Sequence, residues 1–142
     1  MKDELISFKT AVLLKKIGFK EAVNLCYADG DERIAKPYNT SPYSEYYNDL
    51  EYYSAPTQTF LQRWLRENYN LHIQIEYSKN HNDQYGFYIY SGGIERVEHE
   101  LYILDLKNLY YYYKYKRFEE ALEEGLQQAL KLIKNNIKNN NE

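Results

Sequence analysis

Apolar side chains along this chain recur at two periods, one helical and one alternating, and each change of period marks the edge of an element. Phe8, Ala11, Val12, Leu14 and Ile17 fall on one side of a helix running from Asp3 or Ser7 to Ile17, with Lys15 and Lys16 in its last turn. Gly18 and then apolar Phe19 follow, the pattern of a left-handed stop closed by a hydrophobic contact. The longest helical pattern comes last: Phe118, Ala121, Leu122, Gly125, Leu126, Ala129, Leu130, Ile133 and Ile137. Its acids Glu119, Glu120, Glu123 and Glu124 come early and Lys131, Lys134 and Lys138 late, as the macrodipole favours. Gly125 costs about 1 kcal/mol against Ala in a helix, so its presence predicts close approach of that helix to a sheet. A middle helix is expected in APTQTFLQRWLRENYN, with Pro56 in its first turn and Asn70 as a left-handed stop. Its stripe is Phe60, Leu61, Trp64 and Leu65, with Trp64 in the core, which leaves Gln58, Thr59, Gln62, Arg63 and Arg66 pointing away.

The alternating period appears in Leu71, Ile73, Ile75 and Tyr77 against His72, Gln74 and Glu76, a half-buried strand. KNHNDQ is its turn, and Tyr85 to Tyr90 returns. Earlier, Val23 to Tyr27 and Glu32 to Lys36 flank Asp29-Gly30, a strong hairpin signal that sets Leu25 opposite Ile34. Later, Glu100 to Leu106 and Leu109 to Tyr115 flank Lys107-Asn108; that register sets Leu104 opposite Tyr111 and puts Tyr113 on the core face, Tyr110 and Tyr112 on the other. Residues 37–55 have no period and read as a long tyrosine-rich loop, of a length that is functional or disordered in most compact domains. The expected fold is α+β: three helices packed on an antiparallel sheet built from hairpins, one domain over residues 1–137 with a disordered tail at 138–142.

Composition changes this picture in one respect. Among 142 residues there are 18 Tyr against 5 Phe and 1 Trp. Tyr offers large contact area at low rotamer cost and a hydroxyl that wants a partner, which suits a binding surface. The competing reading is compositional: Tyr, Asn, Lys and Ile are all abundant, as AT-rich coding produces, and Tyr then replaces Phe at half-buried strand positions. The charge balance of −3 gives no sign of general nucleic-acid binding, and a lone cysteine excludes an internal disulfide framework. No apolar run is long enough for a membrane span and the acidic start does not read as a signal peptide, so a cytoplasmic protein is expected.

At APTQTFLQRWLRE (Ala55 to Glu67), at FEEALEEGLQQALKLI (Phe118 to Ile133) and loosely at Phe8 to Phe19, the sequence resembles a family of small proteins from Bacteroidetes and their phages and mobile elements. The resemblance covers about a third of the chain. That family has no assigned activity, so the resemblance implies a phage or mobile-element accessory protein inside a bacterial host and transfers no site residue.

No catalytic residue is expected, since G-x-S-x-G, the P-loop, H-E-x-x-H and C-x-x-C are all missing. His72, Gln74 and Glu76 share a strand face but need further ligands to hold a metal, so no metal and no cofactor is expected. The remaining candidate is a site for an aromatic anion. Helix amides near Thr57 and Gln58, the guanidinium groups of Arg63 and Arg66, and the rings of Tyr88, Tyr110 and Tyr112 would supply phosphate contacts and π-faces. The expected function is non-enzymatic sequestration of a small anionic, cyclic nucleotide signal. The alternative is inhibition of a host protein by the acidic loop, with Tyr43, Tyr46, Tyr47, Tyr52 and Tyr53 as anchors. Exposed aromatic strands make a homo-oligomer the expectation in both cases.

Overall fold

The computed structural model describes residues 3–28, 31–37, 52–91 and 111–140, with side chains for 3–28, 52–90 and 113–135. Among the described residues, three helices and two antiparallel sheets make an α+β fold: α1 (Phe8–Lys16), β1 (Leu25–Ala28), β2 (Asp31–Pro37), β3 (Tyr52–Ser54), α2 (Gln58–Tyr69), β4 (Leu71–Ser78), β5 (Gln84–Ser91), β6 (Tyr111–Tyr115) and α3 (Phe118–Asn140). Strand order is β2-β1-β3 in one sheet and β4-β5-β6 in the other. The chain divides into two compact units, Met1–Gln58 and Thr59–Glu142. The expected Lys107-Asn108 hairpin lies outside the described residues.

In the first unit, the Ser7 side chain caps α1 by accepting from the Thr10 amide at 3.3 Å. The helix ends as its sequence implies: Gly18 has φ of 85°, its amide donates to the Lys15 carbonyl, and the Phe19 amide donates to that of Leu14. This is the Schellman arrangement, and Leu14 and Phe19, the pair that accompanies it, are both buried. The hairpin register departs from expectation. Ala28 faces Asp31, but Cys26 faces Lys36 and Leu25 faces Pro37 rather than Ile34, because residues 32–35 of β2 bulge against Tyr27 alone. The end of the stretch expected to be loop is also strand: β3 pairs Tyr53 with Tyr27 and Ser54 with Cys26. Tyr27, central in the sheet, donates its hydroxyl to the Ile6 carbonyl at 2.7 Å and meets Phe8 edge to face.

In the second unit, α3 lies across β4 and β5. Leu71, Ile73, Phe87 and Ile89 are buried on the sheet, and Ala121, Leu122, Leu126, Ala129, Leu130 and Ile133 on the helix. The expected close approach at Gly125 is present, for a Cβ there would meet Ile73 Cγ2 at 2.8 Å and Phe87 Cδ2 at 3.3 Å. Phe118 is 43% exposed, outside the core that its helical spacing suggested, and α3 continues to Asn140, beyond the expected end. Alternation in β4 weakens toward the turn: Ile75 is half-buried and Tyr77 is 48% exposed. The turn is a short 3-10 segment, Lys79–His81, followed by Asn82 and Asp83 at positive φ.

Helix α2 starts at Gln58, two residues later than Pro56 suggested. Thr57 forms an antiparallel bridge with Leu5, the Pro56 carbonyl accepts from Ile6, and the Gln58 amide donates to Glu4 at 2.7 Å. Strand-like pairing holds 56–57 out of the helix, past the proline. Asn70 ends the helix at φ of 53°, as expected.

Candidate functional site

Because α3 covers one side of the β4-β5-β6 sheet, alternation turns His72, Gln74 and Glu76 of β4 to the other side, and register places Tyr90, Tyr88 and Gly86 of β5 directly opposite them. His72 and Tyr90 stack with centroids 5.3 Å apart and planes 15° from parallel, and Tyr88 continues the row 6.1 Å from Tyr90. Although Tyr88 faces Gln74, its hydroxyl donates to Glu76 Oε1 at 3.2 Å, two residues along β4. Its ring therefore crosses the strands diagonally, a reach open to aromatic side chains.

A second phenol reaches the same carboxylate from β6, the strand on the far side of β5. β6 sets Tyr115 against Tyr85 and Tyr111 against Phe87, so residues 112–114 bulge around Gly86 alone. Tyr113, at the centre of that bulge, donates its hydroxyl to Glu76 Oε2 at 2.8 Å. Its expected place on the core face is thus corrected: the bulge's extra residues break the alternation, and Gly86 raises no side chain in the way. The His81 ring lies against Tyr113 at 4.6 Å and its Nδ1 bonds Ser78 Oγ at 2.8 Å. At the other end, His72 Nε2 is 3.3 Å from Asn70 Oδ1. Burial first, and the Arg66 guanidinium second, hold the His72 imidazole below its ordinary pKa of 6.5, which favours the uncharged ring in the stack.

The residues singled out from sequence meet different fates. Tyr88 sits in this face and Arg66, on α2, is close enough to His72 to act on its charge. Arg63 is exposed, with Nε 3.7 Å from Glu67 and its guanidinium 5.8 Å from the Phe60 ring. Thr57 and Gln58 belong to the first unit, where Thr57 is bridged to Leu5 and Gln58 is 3% exposed with its amide taken by Glu4. Gln62, also expected to point away, instead donates Nε2 to the Ile73 carbonyl at 3.0 Å, covering a position on the β4 edge. Trp64 is half-buried beside Tyr69, not core. Tyr110 and the Tyr112 side chain lie outside the described residues.

Of the tyrosines assigned to partner docking, Tyr43, Tyr46 and Tyr47 lie outside the described residues. Tyr52 and Tyr53 help hold the first unit: Lys15 Nζ donates to the Tyr52 carbonyl at 2.9 Å and lies 4.4 Å from the Tyr53 ring centroid, and Tyr53 packs on Phe8. His72, Glu76, Tyr90 and Tyr113 are the outer-face residues that the anion-site reading left out. The alternation of β4 pointed to the first two, and Gly86 inside a strand was the signal for the bulge that brings in the last.

Among the described residues no group of three or more His, Cys, Asp or Glu side chains could hold a metal, and no helix is long and apolar enough to cross a membrane. No family model, curated protein or solved structure matches the chain.

Proposed function

We propose that the chain is a non-enzymatic binder of a small anionic nucleotide, held on the outer face of the β4-β5-β6 sheet. The observation that carries this reading is the row on the sheet face away from α3 in which His72 stacks on Tyr90 and Tyr88 follows, tilted 40° to Tyr90. A planar base gains about 1–3 kcal/mol for each ring it stacks on, without covalent chemistry. Arg66 supplies positive charge at the His72 end, where a phosphate gains from it. The Thr57 and Gln58 amides are left out of this reading, since the Gln58 amide already has a backbone acceptor.

The phage and mobile-element resemblance of α2 and α3 supplies a setting: capture of a cyclic nucleotide signal inside a bacterial cytoplasm, so that the host's sensor never meets it. Isothermal titration of the full chain with a panel of linear and cyclic nucleotides tests the proposal. Binding that weakens about tenfold or more in Tyr90→Ala supports it. Folded protein giving no heat with any member refutes it.

A further inference from the structure

The outer face holds one carboxylate, and its surroundings narrow the choice of base. We propose that the site selects guanine and that Glu76 is the residue that reads it, an inference resting on the nucleotide-binding reading above. Each oxygen of the Glu76 carboxylate receives one phenol, Oε1 from Tyr88 at 3.2 Å and Oε2 from Tyr113 at 2.8 Å. Two donors arriving from two different strands fix the plane of the carboxylate. An ionised carboxylate accepts at about four positions, so about half its capacity remains on the half-buried group.

A base lying on the Tyr88 ring meets that carboxylate with its edge, because the Tyr88 hydroxyl itself points there. Two parallel acceptors match two adjacent N–H donors. Guanine alone among the common bases has such a pair on its Watson–Crick edge, N1–H beside N2–H. Adenine sets its N1 acceptor, and cytosine its N3 acceptor, against an oxygen of like charge, and uracil flanks its one N–H with carbonyls. An arginine side chain also offers two adjacent donors, but Arg66 at the His72 end favours an anion over a second guanidinium. His72 and Glu76 lie four residues apart on β4, about 13 Å, which leaves room for base and phosphate between them.

The test compares GMP, IMP and AMP on the full chain by titration, with arginine amide as a fourth probe, in the unmodified protein and in Glu76→Gln. GMP is expected to bind about tenfold or more tighter than AMP, with IMP between them because it lacks the N2 donors. In Glu76→Gln the order shifts toward AMP, since an amide offers one acceptor and one donor to adenine N6–H and N1. The ranking of GMP over IMP needs no variant and stands if Glu76→Gln does not fold. Equal affinity for GMP and AMP overturns guanine selection while leaving a nucleotide site intact. A guanine preference unchanged in Glu76→Gln overturns the role of Glu76. Binding of arginine amide alone, or of none of these probes, overturns this inference, and the nucleotide reading falls with it only if the cyclic members of the panel also give no heat.

Discussion

Replacing Gly125 by Ala sets two effects of comparable size against each other. In an open helix the change stabilises by about 1 kcal/mol, because Ala has the higher propensity and Gly the larger entropy loss. Here the new Cβ would meet Ile73 Cγ2 at 2.8 Å and Phe87 at 3.3 and 3.4 Å. Ile73 Cγ2 is bound directly to a β-branched carbon in a strand whose neighbours are buried, so no distal torsion can move it aside. Helix and sheet must separate instead, and overpacking of this kind costs about 1–3 kcal/mol. The net expectation is a loss of up to about 2 kcal/mol, or a melting temperature lower by up to about 8 °C. Thermal unfolding followed by circular dichroism measures it, and the sign is diagnostic. In an Ile73→Ala background the 2.8 Å contact is gone and only the Phe87 contacts remain, so the same Gly125→Ala change should cost less than in the unmodified chain. A Gly125→Ala single variant that melts higher than the unmodified chain refutes the packing argument.

Three further outcomes follow from the described geometry. Tyr27→Phe removes the donor to the buried Ile6 carbonyl and should cost about 1–3 kcal/mol in denaturant unfolding, whereas an unchanged midpoint would mean that the bond contributes nothing net. Cys26 is 4% exposed and burial raises its thiol pKa above 9.0, so a thiol reagent should label it only in denaturant; rapid labelling of native protein contradicts that burial. His72 titrates below 6.5 in the folded chain, so the unfolded chain binds its proton first; the contribution of this group to stability is full above 6.5 and is lost as pH falls through the lowered folded value. NMR titration of the ring should give that lowered midpoint and an upward shift in Arg66→Ala, and a midpoint at or above 6.5 rejects the assignment.

Helices were legible because their signals are local. The Gly18 stop, the Asn70 stop and the close approach at Gly125 each depend on a few neighbouring residues and each is where the pattern put it, while Ser7, one of the two starts offered for the first helix, turns out to be its cap. Strand register was less legible because it depends on partners distant in sequence. Asp29-Gly30 fixed the first pair, Ala28 with Asp31, but nothing local announced that β2 would bulge within the next few residues. Pro56 misled for a similar reason: the helix start it favours lost to backbone pairing with residues 4–6, fifty or more positions upstream. Of the outer-face site, alternation exposed His72 and Glu76 on one side of β4. The convergence of Tyr88 and Tyr113 on Glu76 required both the register of β5 and the bulge in β6.

The excess of tyrosine can now be weighed by where hydroxyls go rather than by how many there are. A tyrosine that merely replaces phenylalanine at a half-buried strand position needs only to let its hydroxyl reach water. Tyr27 departs from that, because its hydroxyl is spent on a buried carbonyl and ties β1 to the segment before α1. Tyr88 and Tyr113 depart further, since phenols from two strands converge on opposite oxygens of one carboxylate, which phenylalanine at either position would leave with one donor fewer. Internal packing has no need of a carboxylate at that point; an apolar side chain opposite Gly86 would bury more area without desolvating a charge. A carboxylate retained there, fixed in plane by two donors and with acceptor capacity to spare, is what a group that must present its remaining lone pairs to a ligand requires. Tyr88→Phe with Tyr113→Phe therefore separates the two accounts. A compositional origin predicts little change in either stability or binding, whereas a positioned reader predicts that guanine selectivity falls further than overall affinity.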